Sequence, residues 1–304
     1  MLSAESRAAF YTKSRTDVSE EWLLPNVNLE VMTKHYSRKV WTLIVIAAVI
    51  AAGAAVCTFA FRKQEPPKPH VRHRPGKKVL QNLLENMVRV EGGAYVMGAT
   101  AEQGSDAFES EKPGHMVEVK SFYICRFEVT QAEWEVVMGY NPSGFKSEQH
   151  PVENVSWEDC QRFISKLSAI TGRLFRLPTE VEWEYAARGG KLSCGYKYSG
   201  GNEIDSLAWY EENSERHSHL IGQKEPNELG LFDMSGNVWE WCQDVYAPYP
   251  SGTGEQLTWT PPTGNFRVLR GGSWFSDARD CRVSFRNYYT PGHRVSNLGF
   301  RLAI

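Results

Sequence analysis

From residue 86 onward the chain runs in short alternations of apolar and polar residues, punctuated by glycine. Val88-Arg-Val-Glu-Gly-Gly-Ala-Tyr-Val-Met-Gly98 alternates and then turns at glycine, which predicts a strand followed by a hairpin. Met116 to Val129 predicts a further strand. Three helices announce themselves through capping boxes, Thr130 with Glu133, Ser156 with the shorter Asp159, and Thr179 with Glu182. Gly139, Gly172 and Gly189 supply their C-terminal stops. In the second helix Trp157, Cys160, Phe163, Ile164 and Leu167 recur at helical spacing, so one face is buried. Beyond Gly190 the pattern offers only short apolar pieces between Gly, Asn, Pro and Ser. The fold class predicted is α+β with much irregular structure.

One segment belongs to no soluble core. Val40 to Phe61, VWTLIVIAAVIAAGAAVCTFAF, carries no charge and is long enough to cross a bilayer as a helix, which predicts a membrane-tethered chain. Two readings of it stand. In one it is an uncleaved anchor. In the other, Met32 to Cys57 has the form of a lipoprotein signal, with Lys34, Arg38 and Lys39 ahead of an apolar run, and Cys57 carries lipid. Val56 before it is larger than the residue usual at such a cleavage site. Arg62, Lys63, Lys68, Arg72, Arg74, Lys77 and Lys78 follow the span and favour a cytoplasmic C-terminal side, whereas the signal form favours export to the cell envelope. Residues 1–39 lack a periodic pattern and read as disordered or, if Met32 is the start, in part untranslated. Residues 62–85, with their Pro, Lys and Arg, read as a linker, and 86–304 as the folded domain.

Composition is that of a globular protein, with 41% hydrophobic and 23% charged residues over 304 positions. A net charge of −2 and the lack of a basic stripe among aromatics exclude a nucleic-acid partner. Of the ten tryptophans, all but Trp22 and Trp41 follow residue 130, which predicts an aromatic-rich core there. Cys125, Cys160, Cys194 and Cys242 are open to disulfides in an oxidising compartment and equally to reduced burial, with no connectivity readable from spacing. No nucleophile elbow, phosphate loop or dinucleotide fingerprint occurs. His217-Ser-His219 has no third ligand near it in sequence and reads as a solvated loop.

Arg270 to Ile304 combines two kinds of residue. Gly271, Gly272, Trp274, Cys281, Arg282, Arg286, Arg294 and Gly299-Phe-Arg301 suit a frame of close backbone approach, core aromatics and buried charged hydrogen bonds. Between them lie Phe275, Ser276, Asp277, Arg279, Asp280, Phe285, Asn287, Tyr288, Tyr289, Thr290, His293, Val295 and Ser296. Tyr, Ser, Asn and Asp in this proportion have the chemistry of an adaptable binding face.

Phe127-Glu-Val-Thr-Gln131, His150-Pro-Val-Glu-Asn-Val-Ser-Trp157, Arg176-Leu-Pro-Thr-Glu180, Gly230-Leu-Phe-Asp-Met-Ser-Gly-Asn-Val-Trp-Glu-Trp241, Arg270-Gly-Gly-Ser-Trp274 and Gly299-Phe-Arg301 resemble, in order, the signatures of the formylglycine-generating enzyme, or sulfatase-modifying factor, family. The resemblance covers about residues 86–304 and implies a C-type-lectin-like fold in that family's variant. The family's oxidases hold copper with two cysteines after the Gly-Gly-Ser motif, and Cu(I) requires soft thiolates. Here the second position is Cys281 and the first is Ser276, so no copper is expected, and Cys281 reads as a small buried hydrophobe. An envelope oxidoreductase using Cys281 with another thiol is the alternative reading.

The variable proteins of diversity-generating retroelements, treponemal surface lipoproteins among them, have the same fold and offer a closer resemblance. Their diversified asparagine-type codons cannot become Lys, Glu, Gln, Met or Trp. Those five types make up 68 of the 304 residues, yet none occurs from Phe275 to Asn297. Chance would leave that gap in roughly one case in three hundred. This implies a non-catalytic display face for a protein or cell-surface ligand. The family also implies a structural calcium near Asn237, Val238 and Glu240, against which stands a turn at Asn237 and an ion pair of Glu240 with a buried arginine such as Arg301.

Overall fold

The computed structural model describes residues 75–250 and 264–304. The apolar stretch Val40–Phe61, Cys57 and the segment before Pro75 lie outside the described residues. Among the described residues no helix is long and apolar enough to cross a membrane.

The first element is helix α1, Pro75–Glu85. Leu80, Leu83 and Leu84 recur at helical spacing, Leu83 is wholly buried, and its two neighbours pack on the same core. The linker expected over 62–85 therefore gives way to the domain by Pro75, because these leucines fill the core rather than a spacer. Strand β1, Met87–Val90, pairs antiparallel with β4, Phe122–Cys125, and β2, Gly93–Met97, with β3, His115–Val119. The single strand expected over Met116–Val129 is thus two, broken at Lys120 and Ser121, each with its own partner.

Helices α2, Gln131–Met138, α3, Trp157–Thr171, and α4, Glu180–Ala187, all start at the expected capping boxes. In the first, Glu133 accepts from the Thr130 amide at 2.8 Å while Thr130 Oγ1 accepts from the Glu133 amide at 3.2 Å. Gly139 and Gly172 end their helices in the left-handed conformation, and Gly189 takes it one residue after α4 closes at Arg188.

Where the sequence offered only short pieces, the chain builds a four-stranded sheet in the order β7-β6-β5-β8, from β5, Trp239–Val245, β6, Arg267–Arg270, β7, Arg286–Tyr289, and β8, Leu298–Gly299. Only the β5–β8 pair is parallel. Two apolar clusters flank these elements. One stacks Trp134 on Phe163 at 5.2 Å and edges both against Phe300; the other gathers Trp183, Tyr185, Cys242 and Val268. The fold is α+β, as the pattern predicts.

Candidate ligand-binding face

Four buried arginines fix the C-terminal segment. Arg282 forks onto Glu111 at 2.7 and 2.8 Å, Arg286 onto Glu180 at 2.6 and 2.8 Å, and Arg301 onto Glu240 at 2.6 and 2.7 Å. Arg270 binds Glu184 and the carbonyls of Val283, Ser284 and Phe285. A carboxylate met by a guanidinium fork has its charge compensated, which is what makes such burial tolerable. Gly271, Gly272, Trp274, Cys281, Gly299 and Phe300 are buried with them. Gly272 sits at φ 76°, and a Cβ there would lie 2.7 Å from Cys281 Sγ. Arg294 departs from this frame: its side chain is 47% exposed and binds Asp159 at the start of α3, at 2.6 Å.

Of the side chains expected between these frame residues, Phe275, Asp277, Arg279 and Thr290 are exposed, and Asp280, Asn287, Tyr289, His293, Val295 and Ser296 are half-buried. Three others do not join them. Ser276 is buried, with its hydroxyl 3.1 Å from that of Ser273 while accepting the Ser273 amide, so it braces the Gly-Gly-Ser turn. Phe285 packs edge-on to Phe108 at 5.3 Å and beside Trp239. Tyr288 lies on the opposite side of β7 from Asn287 and Tyr289, because side chains alternate along a strand, and it packs on Tyr246 at 4.5 Å and Phe266 at 5.1 Å. Tyr289 instead stacks on His293 at 3.9 Å. Asp277 caps the turn Ala278–Cys281 by accepting the Arg279 amide at 2.7 Å, and Arg279 lies over the Phe108 ring at 4.4 Å. Burial, with help from the Asp277 charge, lifts the Asp280 carboxyl to about 6.

The structure adds a loop that sequence reasoning left out. The Glu211 amide donates to the Ser276 carbonyl at 2.9 Å, Ser214 Oγ donates to the Trp274 carbonyl at 2.7 Å, and the Trp274 indole donates to the Ser296 carbonyl at 3.2 Å. His217-Ser-His219, expected as a solvated pair, is half-buried in this loop. His219 stacks on Trp209 at 3.8 Å and 11°, and burial lowers its pKa. The only sequence signal was the nearness of Trp209 to the two histidines.

Cys281 is wholly buried, and burial pushes its thiol far up, away from the thiolate that metal binding or nucleophilic attack needs. Cys125, Cys160, Cys194, Cys242 and Cys281 are all unpaired. The alternative reading, in which Cys281 works with a second thiol, finds no partner bonded to it.

The calcium trio is split. Asn237, buried and at φ 58°, accepts the His219 amide at 2.9 Å and donates to Glu128 at 2.8 Å. The Val238 amide donates to Glu128 at 3.2 Å. The Glu240 carboxylate is held by Arg301 and by the Trp183 indole at 2.8 Å, the arginine pairing that the sequence set against calcium. Beside them Asp233 is buried, with Oδ2 accepting the Gly222 amide and Oδ1 lacking a partner. Burial and then the Asp233 charge raise the pKa of Glu128, and burial lifts Asp233 to about 6. Glu128, Asp233 and Glu240 thus share the single guanidinium of Arg301. Among the described residues no three His, Cys, Asp or Glu side chains converge as a metal cluster.

The family model of the sulfatase-modifying factor enzyme 1-like domain matches residues 74–304. The chain is 33% identical to the chaperone protein LppX of Paenibacillus barcinonensis, over 72% of this chain and 89% of that one. It is 31% identical to the formylglycine-generating enzyme of Streptomyces coelicolor, over 78% and 95%. Among solved structures, Treponema denticola variable protein 1 superposes with a TM-score of 0.62 at 34% identity, covering 71% of this chain and 94% of that one.

Proposed function

The chain belongs to the sulfatase-modifying factor enzyme 1-like domain family, and from that premise we propose that it is a non-catalytic, ligand-binding member whose C-terminal loops display a variable face. The observation that carries this reading is the burial pattern of residues 271–301. Glycines and arginines of the frame are interior, whereas Phe275, Asp277, Arg279, Asp280, Asn287, Tyr289, Thr290, His293, Val295 and Ser296 reach solvent. The frame is held by buried ion pairs, so most of these positions can change without moving the backbone, whereas Tyr289 and Val295 also pack against the core and Asp277 caps the turn Ala278–Cys281. Likeness to a variable protein supports the same reading. Against catalysis speak Ser276, a hydroxyl in place of the thiolate that copper needs, and Cys281, sealed beneath Gly272.

The ligand on this reading is a protein or cell-surface group, met outside the cytoplasm by a C-type-lectin-like domain tethered through Val40–Phe61 or a lipid on Cys57. A structural calcium is part of the proposal. The orphaned Asp233 Oδ1, buried beside the Glu128 carboxylate, would give a hard cation oxygen ligands, while Glu240 stays on Arg301 and the Asn237 side-chain amide and Val238 N–H stay on Glu128. Its role there is to balance charge and fix the turn that carries Asn237.

Sequencing the end of the gene and its flank tests the display reading. A near-copy of the segment encoding Phe275–Asn297, differing only where adenine stands and lying beside a reverse transcriptase, is the expected result. An invariant segment across sibling isolates with no such copy overturns it.

A further inference from the structure

We propose that the binding face has a second, constant half: an acid-rimmed aromatic shelf on the 209–219 loop that takes a lysine or arginine side chain of a protein partner. This rests on the display reading, which it deepens by naming the chemistry of the ligand. Trp209, His219, His217, Phe145 and Trp274 follow one another at ring-centroid distances of 3.8, 4.4, 5.9 and 5.7 Å, and the run meets the variable face where Trp274 lies 5.4 Å from Phe275. All but Trp274 reach solvent. An unbroken run of rings across two chain segments and a third residue at 145 is more than core packing at a loop requires.

The shelf is continuous with the face, since Glu211 and Ser214 are hydrogen-bonded to Ser276 and Trp274. Its own ends already hold cations. Lys224 Nζ lies 4.0 Å from the Trp209 ring centre, and the Arg216 guanidinium lies 5.9 Å from that of Phe275. Phe145 and His217, in the middle, carry none of these contacts. Carboxylates dominate this stretch of sequence, with Glu203, Asp205, Glu211, Glu212, Glu215 and Glu225 against Arg216 and Lys224. Three of them border the shelf: Glu215 acts on His219, Asp205 holds Lys224 through its carbonyl, and the Glu211 amide binds Ser276. Ring faces and carboxylates together select a cationic side chain over an anionic or aliphatic one. Glu215 and Arg216, at φ 53° and 63°, hold the turn that presents His217 in a conformation few side chains adopt.

The test titrates an acetylated hexalysine peptide into the full chain, with hexaglutamate as its counterpart. Hexalysine binds and hexaglutamate does not, and Phe145→Ala weakens binding at least tenfold. Glu211→Gln/Glu215→Gln does the same without touching the core, whereas the equal charge change Glu85→Gln/Glu118→Gln elsewhere on the surface alters binding less than twofold. Hexalysine binding no tighter than hexaglutamate, or equal losses in the two double variants, overturns the shelf. A diversified locus with no hexalysine binding overturns the shelf and leaves display standing. Hexalysine binding from an invariant locus supports the shelf and overturns display.

Discussion

Arg282 holds both oxygens of Glu111, 171 residues away in sequence, with neither side chain reaching solvent. Ser284 donates to the same carboxylate. The pair ties the turn after Cys281 to the short helical turn Glu109–Glu111, so the C-terminal loops inherit their position from an early part of the chain.

Removing one partner leaves a buried charge unanswered. Arg282→Met is expected to lower stability by about 3–5 kcal/mol, and Arg282→Met/Glu111→Leu to recover most of that loss. Urea unfolding of the two variants checks it; a double variant no better than the single refutes the account.

Gly272→Ala is expected to destabilise by about 2 kcal/mol or more, since the new methyl meets Cys281 Sγ at 2.7 Å and the Asp280 carbonyl at 3.0 Å, in a left-handed backbone. Adding Cys281→Ala recovers only the part due to the sulfur, and thermal melting of the pair separates the two contributions.

The thiols divide by access. A native chain treated with iodoacetamide is expected to label at exposed Cys194, while Cys125, Cys160, Cys242 and Cys281, buried and with thiols pushed up, label only after unfolding. Rapid native alkylation of Cys281, read by peptide mass, would revive a catalytic role for it.

Burial lifts Glu133 to about 7 from 4.5, with the Thr130 hydrogen bonds opposing it. Between those values the folded state binds the extra proton, so this group's contribution to stability falls as pH rises from about 4.5 through 7, by about 3 kcal/mol in all. Unfolding measured across that range should slope downward in the wild type and flatten in Glu133→Gln.

If Asp233 and Glu128 hold calcium, millimolar calcium raises the melting temperature, by about 2.7 kcal/mol of stability at a hundredfold excess over Kd. Asp233→Asn/Glu128→Gln is expected to melt at or above the calcium-free wild type and to lose the response. An equal calcium response in both chains refutes the site.

Much of this is legible in the sequence where the signal is local. Thr130, Ser156 and Thr179 mark helix starts because a capping box is written within four residues. The four-stranded sheet is not legible, since Trp239 to Cys242 are buried on both faces and show no alternation, and its other strands are four residues or fewer. Gly272 and Arg282 are interior, as their place in the frame suggests, whereas the exposure of Phe275 runs against its apolar chemistry. Ser276, Phe285 and Tyr288 go astray because their burial is set by Ser273, Phe108 and Tyr246, partners that no spacing rule names. The Trp209–His219 stack joins residues of a loop with no periodicity at all.

The parity of β7 limits how much novelty this segment can encode. Asn287 and Tyr289 face away from the Tyr246 cluster, but Tyr289 packs against the other apolar core, so of the three Asn287 alone changes independently of the interior, and every change at Tyr288 is also a change in the packing around Tyr246 and Phe266. A library written across Arg286–Tyr289 therefore discards many of its members as misfolded before any is tested for recognition. The stretch from Thr290 to Ser296 belongs to no strand. On the display reading, changes at Thr290, His293 and Ser296 carry little risk to folding, whereas Val295 packs on the core and Arg294 holds Asp159, so tolerated differences should gather at the first three.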